Sequence, residues 1–72
     1  MKPLSDANGK VIVKDIVGGR GFVRRLVDMG IVPGQILEVI SNNSQIIVKS
    51  GDAKIALGRG VARKVFVEEV HE

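Results

Sequence analysis

The chain has 72 residues, 44% of them apolar, with no cysteine and with two Phe as its only aromatic residues. This length allows one small domain with a thin core, taken here as spanning residues 1–72, and excludes two-domain enzymes, doubly wound nucleotide folds and long repeat arrays. The lack of thiols removes disulfide scaffolds, zinc ribbons and iron–sulfur clusters, and a net charge of +3 permits an anionic partner without demanding one.

The N-terminal segment, MKPLSDANGK, carries no apolar stretch of signal-peptide type. No apolar run approaches the roughly 18–20 residues of a membrane span. The expectation is a soluble, cytoplasmic chain with no direct membrane insertion, serving any membrane only through a protein partner.

Short β-branched runs then alternate with turn residues. Val11-Ile12-Val13 and Ile16-Val17 flank Lys14-Asp15 and form the first predicted strand. Gly18-Gly19-Arg20-Gly21 follows. Its backbone amides could hold an anion, but neither P-loop nor dinucleotide-binding spacing is present, and glycines that simply turn the chain from strand to helix are the preferred explanation of the run.

One segment breaks the strand pattern. In Phe22-Val23-Arg24-Arg25-Leu26-Val27-Asp28-Met29 the apolar residues Phe22, Leu26 and Met29 are spaced four and three, which puts them on one helical face with Val23 beside them. Arg24, Arg25 and Asp28 fall on the other side. Gly30 stands where a left-handed C-cap is wanted, and Pro33-Gly34 suits a tight turn into the next strand. The helix should dock its Phe22/Leu26/Met29 face over one end of a barrel.

A meander of three strands is predicted at about 35–41, 45–49 and 53–57, with hairpin turns at Asn42-Asn43-Ser44 and around Gly51. Val65-Phe66-Val67 closes the set, after a turn at Gly58-Arg59-Gly60 and then Val61-Ala62. Alternation points Leu37, Val39, Ile46, Val48, Ile55, Leu57, Val65 and Val67 inward and Ile36, Ile40, Ile47 and Phe66 outward. That is too much apolar surface for a solvated face; part is expected under the helix or the N-terminal arm, and the rest as a partner site. The predicted fold is mainly β: a small SH3-like barrel of about five strands, with one short helix inserted after the first strand.

Catalytic chemistry is not visible. The one histidine, His71, lies next to the C-terminus, where chains fray. Glu68 and Glu69 point to opposite strand faces, and a stable metal site wants three or four converging ligands; Glu69, His71 and Glu72 would hold a metal only opportunistically. No catalytic, cofactor or metal residue is assigned, and the chain is read as a non-enzyme. Arg20, Arg24, Arg25, Arg59, Arg63 and Lys64 form the most basic subset. If they converged they could neutralise phosphates, but the stacking aromatics that single-strand binders use are missing.

The residues also carry a family likeness. Leu4-Ser5-Asp6-Ala7, Gly9 and the stretch from Val13 to Gly19 resemble the opening of the ferrous iron transport protein A (FeoA) family. More specific is Arg25-Leu26-Val27-Asp28-Met29-Gly30-Ile31-Val32-Pro33-Gly34, which resembles that family's RL-x-x-(L/M)-G-(I/L)-x-P-G stretch, so Leu26, Met29, Gly30, Pro33 and Gly34 carry the motif. Ile55-Ala56-Leu57, Ala62 and Val65-Phe66-Val67 resemble its closing segment. The resemblance implies an SH3-like barrel. It further implies an accessory of the membrane ferrous-iron transporter FeoB, whose cytoplasmic part is a GTP-binding domain, and leaves iron contact with this chain open. Similar domains end DtxR-type metal-dependent repressors. Two departures stand out: the Asn42-Asn43-Ser44 loop is shorter than the family's usual Pro- and Gly-rich hairpin, and Gly58-Arg59-Gly60 is unusually Gly-rich.

The sequence therefore predicts a non-enzymatic module that binds the cytoplasmic region of a FeoB-like transporter. Arg20, Arg24, Arg25, Ile47, Arg59, Arg63 and Phe66 are its candidate partner-binding residues, and no specific nucleic acid is expected. A nucleic-acid-binding SH3-like domain and a detached C-terminal domain of a DtxR-type repressor are the alternatives.

Overall fold

The computed structural model describes residues 1–71. Its elements in chain order are β1 (Lys2–Pro3), a 3-10 turn (Leu4–Asp6), β2 (Gly9–Ile16), α1 (Arg20–Asp28), β3 (Ile36–Asn42), β4 (Gln45–Ser50), β5 (Ala53–Gly58), α2 (Arg59–Ala62) and β6 (Val65–Glu69). The strands form one antiparallel sheet in the order β1-β6-β2-β3-β4-β5. The predicted count of about five thus rises to six, because the two residues of β1 pair with Val67 and Phe66 at the N-terminal edge. Such a short strand carries no period from which to read it. The Gly58-Arg59-Gly60 segment, read as a turn, winds into the single helical turn of α2.

Alternation gives the core, but two bulges reset its phase. In β2, Val11 and Val13 are fully buried, and the register with β6 then shifts between Val13 and Asp15. One extra residue on a bulged strand flips every later side chain to the other face. With Lys14 as that residue, Ile16 pairs with buried Val65 and turns inward, while Asp15 sits outward opposite Phe66. The same happens in β3 between Val39 and Ser41, where Ile40 is the extra residue. Asn42 consequently lies opposite fully buried Ile46 and points inward. Leu37, Ile46, Val48, Leu57, Val65 and Val67 are buried as predicted, whereas Val39 and Ile55 are half-buried at the core's margin.

The helix is anchored by one residue. Leu26 is 1% exposed, Phe22 is half-buried against the core, and Met29 is 37% exposed. Met29 is therefore not a core residue, and the expected three-residue face is corrected: Met29 occupies the C-cap, beyond the last helical residue, and its side chain leaves the buried stripe. Ile31 fills the core in its place, at 0% exposure.

The chain returns to the core through the motif itself. Ile31 N–H donates to the Leu26 carbonyl and Gly30 N–H to the Val27 carbonyl, both at 2.9 Å, with Gly30 at φ +92°. This is the Schellman pair of bonds, and its usual hydrophobic partners, the residue after the glycine and the third helical residue from the end, are here Ile31 and Leu26. Gln35 N–H then donates to the Val32 carbonyl at 3.0 Å across Pro33-Gly34, with Gly34 also at φ +92°. Proline in the second and a positive-φ glycine in the third position are what a type II turn requires. The turn is sewn to β2 by Gly34 N–H to the Val13 carbonyl (2.8 Å) and Val13 N–H to the Gln35 carbonyl (2.9 Å). The motif is thus a cap and a turn that bring Leu26 and Ile31, five positions apart, into the same core.

The N-terminal arm is held in two places. Lys2 forms an ion pair with Glu69 across the β1–β6 edge. The hydrogen bond from Lys2, and then its charge, hold the Glu69 carboxyl below the usual carboxylate range. A lowered folded value stabilises above the unfolded carboxylate pKa and is lost as pH falls through the folded one. Below about pH 4, near the unfolded glutamate value, β1 is expected to detach before the rest of the sheet. Amide exchange at Lys2 and Val67 that accelerates on acidification, ahead of Val48 and Leu57, is the expected result; unchanged protection at that edge would refute it.

Candidate docking surface

The outer side of α1 carries the most distinctive surface. Gly18, Arg20, Val23, Arg24, Val27 and Asp28 line a shallow open groove. Val23 and Val27 are spaced four apart and form its apolar floor; Val23 is half-buried and Val27 is 42% exposed. Arg20 and Arg24, also four apart, form the parallel ridge and are exposed. Residues three and four apart share a helix face, so the nine residues of α1 present an aliphatic stripe beside a cationic one. Val17, 52% exposed, leads into the same helix.

Among the described residues no ion pair neutralises Arg20 or Arg24; the ion pairs are Lys2–Glu69 and Lys14–Glu68, the latter at 3.8 Å. Nothing acidic stands in the first turn of α1. The helix N-terminus adds its own partial positive charge at the Arg20 end. The surface is suited to an acidic segment with aliphatic anchors.

The other predicted site residues do not converge on this groove. Arg25 lies on the far flank of α1 and Arg63 at the C-cap of α2, both exposed. Ile47 is half-buried on the outward face of β4, opposite Ser41 and Ala56, and Phe66 is half-buried in β6 between Pro3 and Asp15. Ile36 and Ile40, on the outward side of β3, stay 48% and 49% exposed. Lys64 places its Nζ 5.3 Å from the centre of the Phe22 ring, a cation–π contact that fastens α1 to the segment after α2.

Arg59 requires correction. Its guanidinium donates to the Asn42 side-chain oxygen (2.7 Å), the Asn43 carbonyl (2.8 Å) and the Ser5 carbonyl (3.2 Å). Asn42 in turn donates to the carbonyls of Ser5 (3.0 Å) and Ala7 (3.2 Å). The 3-10 turn has no ladder partner for these carbonyls, and Ser5 is 6% exposed, so they need donors from elsewhere. Arg59 and Asn42 supply them and latch the N-terminal arm to the β3–β4 hairpin. Sequence reasoning missed this latch because Asn42 reads as a turn residue, whereas it is the last residue of β3 and lies opposite buried Ile46. It also passed over Val27, whose spacing from Val23 was the available signal.

Among the described residues no group of three His, Asp or Glu side chains is placed to hold a metal ion. Among the described residues no helix is long and apolar enough to cross a membrane.

Barrel, inserted helix and cap–turn motif together define a small SH3-like domain whose helix carries an aliphatic stripe beside a cationic one. A family model described as the FeoA domain matches residues 3–69. A protein of Methanocaldococcus jannaschii provisionally named Fe(2+) transport protein A is 46% identical over 72 residues, spanning 96% of this chain and 88% of its own. The crystal structure of an iron uptake regulatory protein, FeoA, superposes with a TM-score of 0.88 at 35% identity and covers 96% of each chain. A manganese-dependent transcriptional repressor shares the fold alone, with a TM-score of 0.86 at 20% identity over 96% of this chain and 41% of the repressor. The chain belongs to the FeoA domain family.

Proposed function

We propose that this chain is a cytosolic, non-enzymatic accessory of ferrous-iron uptake that acts as one module and docks on the cytoplasmic GTP-binding region of a FeoB-like membrane transporter. The observation that carries the reading is the α1 groove, where Val23 and Val27 lie beside Arg20 and Arg24. The iron-transport context comes from the family and from the name of the archaeal relative. In this mechanism the valines anchor by losing water, and the arginines orient an acidic partner and speed encounter. Arg25 and Arg63, on other faces, add long-range attraction. Arg59 stays with its own chain.

Salt separates this reading from nucleic-acid binding. A basic face making about five contacts to a duplex has a salt slope near −4.5, so a fourfold rise in salt weakens binding roughly 500-fold. An interface anchored by apolar side chains changes far less, because rim charges act mainly on association. Titration of the chain with the transporter's cytoplasmic region is expected to give an affinity that drops less than about tenfold over that range. Arg20→Glu with Arg24→Glu should weaken it at least tenfold with an unchanged melting temperature. Sub-micromolar binding to DNA or RNA at physiological salt, with no contact to the transporter region, would overturn the proposal.

A further inference from the structure

We infer that Gly18 and Lys64 are positioning residues of the docking surface. Together they seat the Phe22 ring, and the seated ring fixes the roll of α1 that leaves Val23 and Val27 facing outward. The consequence for docking rests on the transporter reading. The roll itself does not, and is measured on the chain alone.

α1 has two apolar faces that share one residue. At about 100° per residue, Phe22 lies about 40° to one side of Leu26, and Val23 and Val27 lie about 60° and about 100° to the other. One face is therefore Phe22 with Leu26, and the second is Leu26 with Val23 and Val27. A roll of about 70° about the helix axis exchanges them. Both faces are apolar at helical spacing, so the period alone does not choose between them. In the structure the first is seated. Phe22 packs against the core, Val23 is not among the residues packed there, and Val27 is 42% exposed.

Little else fixes the roll. Leu26 belongs to both faces and stays inside in either. Gly18 and Gly19 precede the helix and Gly30 follows it, so the chain at each end is able to follow a rotation. The helix N-terminus has no side-chain cap. Among the described residues no hydrogen bond or ion pair joins α1 to a strand.

The seat is made by two residues. A β-carbon at Gly18 would stand 2.5 Å from Phe22 Cδ2 and 3.2 Å from its Cγ. Cγ is the root of the ring, so the ring cannot give way by swinging its tip, and only glycine leaves it room. Lys64 sets its Nζ over the ring, 5.3 Å from the centre, where an ammonium is attracted to the π-face. The Lys64 carbonyl accepts the Val17 N–H at 2.9 Å. This bond holds the lysine at the residue before Gly18 and ties the two parts of the seat together. With the ring unseated, burying Val23 and Val27 in its place recovers apolar contact. The sheet survives that roll, but the stripe offered to a partner is gone.

Side-chain exposure, read in NMR spectra of the full chain with a soluble paramagnetic agent, tests the inference. In the parent the Val27 methyls are expected to relax strongly and the Phe22 ring protons weakly. Gly18→Ala should reverse that order with the sheet amides in place, and should weaken docking on the transporter region at least tenfold by removing its apolar anchors. Lys64→Met keeps the stem and the backbone but not the cation, and should move both exposures the same way by less. Lys64→Arg retains a cation for the ring and should leave them at parental values. If Gly18→Ala does not fold, the Lys64 pair decides. Exposures that stay parental in every folded variant overturn the inference. So does a Phe22 ring that becomes exposed while Val27 stays exposed, which would show that the ring's seat does not set the roll. A parent chain that does not bind the transporter region, with exposures that still exchange, refutes the docking reading and supports the roll.

Discussion

Replacing Leu26 by alanine is expected to leave the chain largely unfolded at 37 °C. Leu26 is the one fully buried side chain of α1, at 1% exposure, and shares its core with Ile31, Leu37 and Val48. Truncating a buried leucine costs about 2–5 kcal/mol through lost transfer energy and the cavity left behind. A core of this size supplies only about 3–5 kcal/mol in total. The Schellman bond from Ile31 to the Leu26 carbonyl survives the substitution, so the loss is one of packing and not of capping. Met29→Ala is the control, since Met29 is 37% exposed, and should melt within a few degrees of the parent. Thermal melts followed by circular dichroism check both. A cooperative Leu26→Ala transition close to that of the parent would mean that α1 does not seal the barrel through this residue.

Breaking the N-terminal latch is the second large effect. Asn42→Ala removes two donors from the Ser5 and Ala7 carbonyls and the acceptor that receives Arg59 at 2.7 Å. Hydrogen bonds to a charged group contribute about 1.5–3 kcal/mol, and a buried carbonyl left without a donor costs about 1–3 kcal/mol. Arg59 is exposed, so water restores part of what its loss removes. Each single replacement, Asn42→Ala or Arg59→Ala, is expected to cost about 2 kcal/mol on that scale. The double replacement should cost less than the sum by more than about 0.5 kcal/mol, because the two side chains share partners. Chemical denaturation of the four chains gives the coupling. Costs that add, with each below about 0.5 kcal/mol, the range of an ordinary surface change, would show that the arm is held by its apolar residues alone. Arg59→Ala should also leave transporter docking unchanged at temperatures where the chain is folded, which distinguishes the latch from a binding role.

These two cases show how unevenly the site and its frame were legible. Leu26 was visible because a helix of nine residues repeats its apolar positions often enough to give a period. Met29 followed the same period but lay one residue past the helix, a boundary that periodicity does not resolve. Arg59 was counted with the other arginines on charge alone. Whether a guanidinium reaches water or three carbonyl and amide oxygens depends on residues more than fifteen positions away, and no local pattern carries that. Arg24 was expected on the polar side of α1 and lies there, whereas Arg20, expected in the glycine-rich loop before the helix, is its first residue. That Val23 and Val27 form an apolar floor beside them depended on how the helix is rolled on the sheet.

By itself the sequence determined the β-rich class, the inserted helix, its glycine cap, the Pro33-Gly34 turn and most inward positions. Each of these follows from a local constraint: a side-chain period of two or of about 3.6, a fixed proline φ, or a positive φ that glycine alone takes readily. The tertiary structure decided the bulges at Lys14 and Ile40, which choose between two phases that adjacent apolar residues such as Val39 and Ile40 satisfy equally. It also put Leu4 and Ala7 in the core at 0% exposure, through contacts with residues distant in sequence. The phase set at Ile40 turns Asn42 inward to the Ser5 and Ala7 carbonyls. A one-residue insertion is nearly silent in local pattern yet inverts every side chain beyond it, and only the competition among facing strands for one core fixes where it falls.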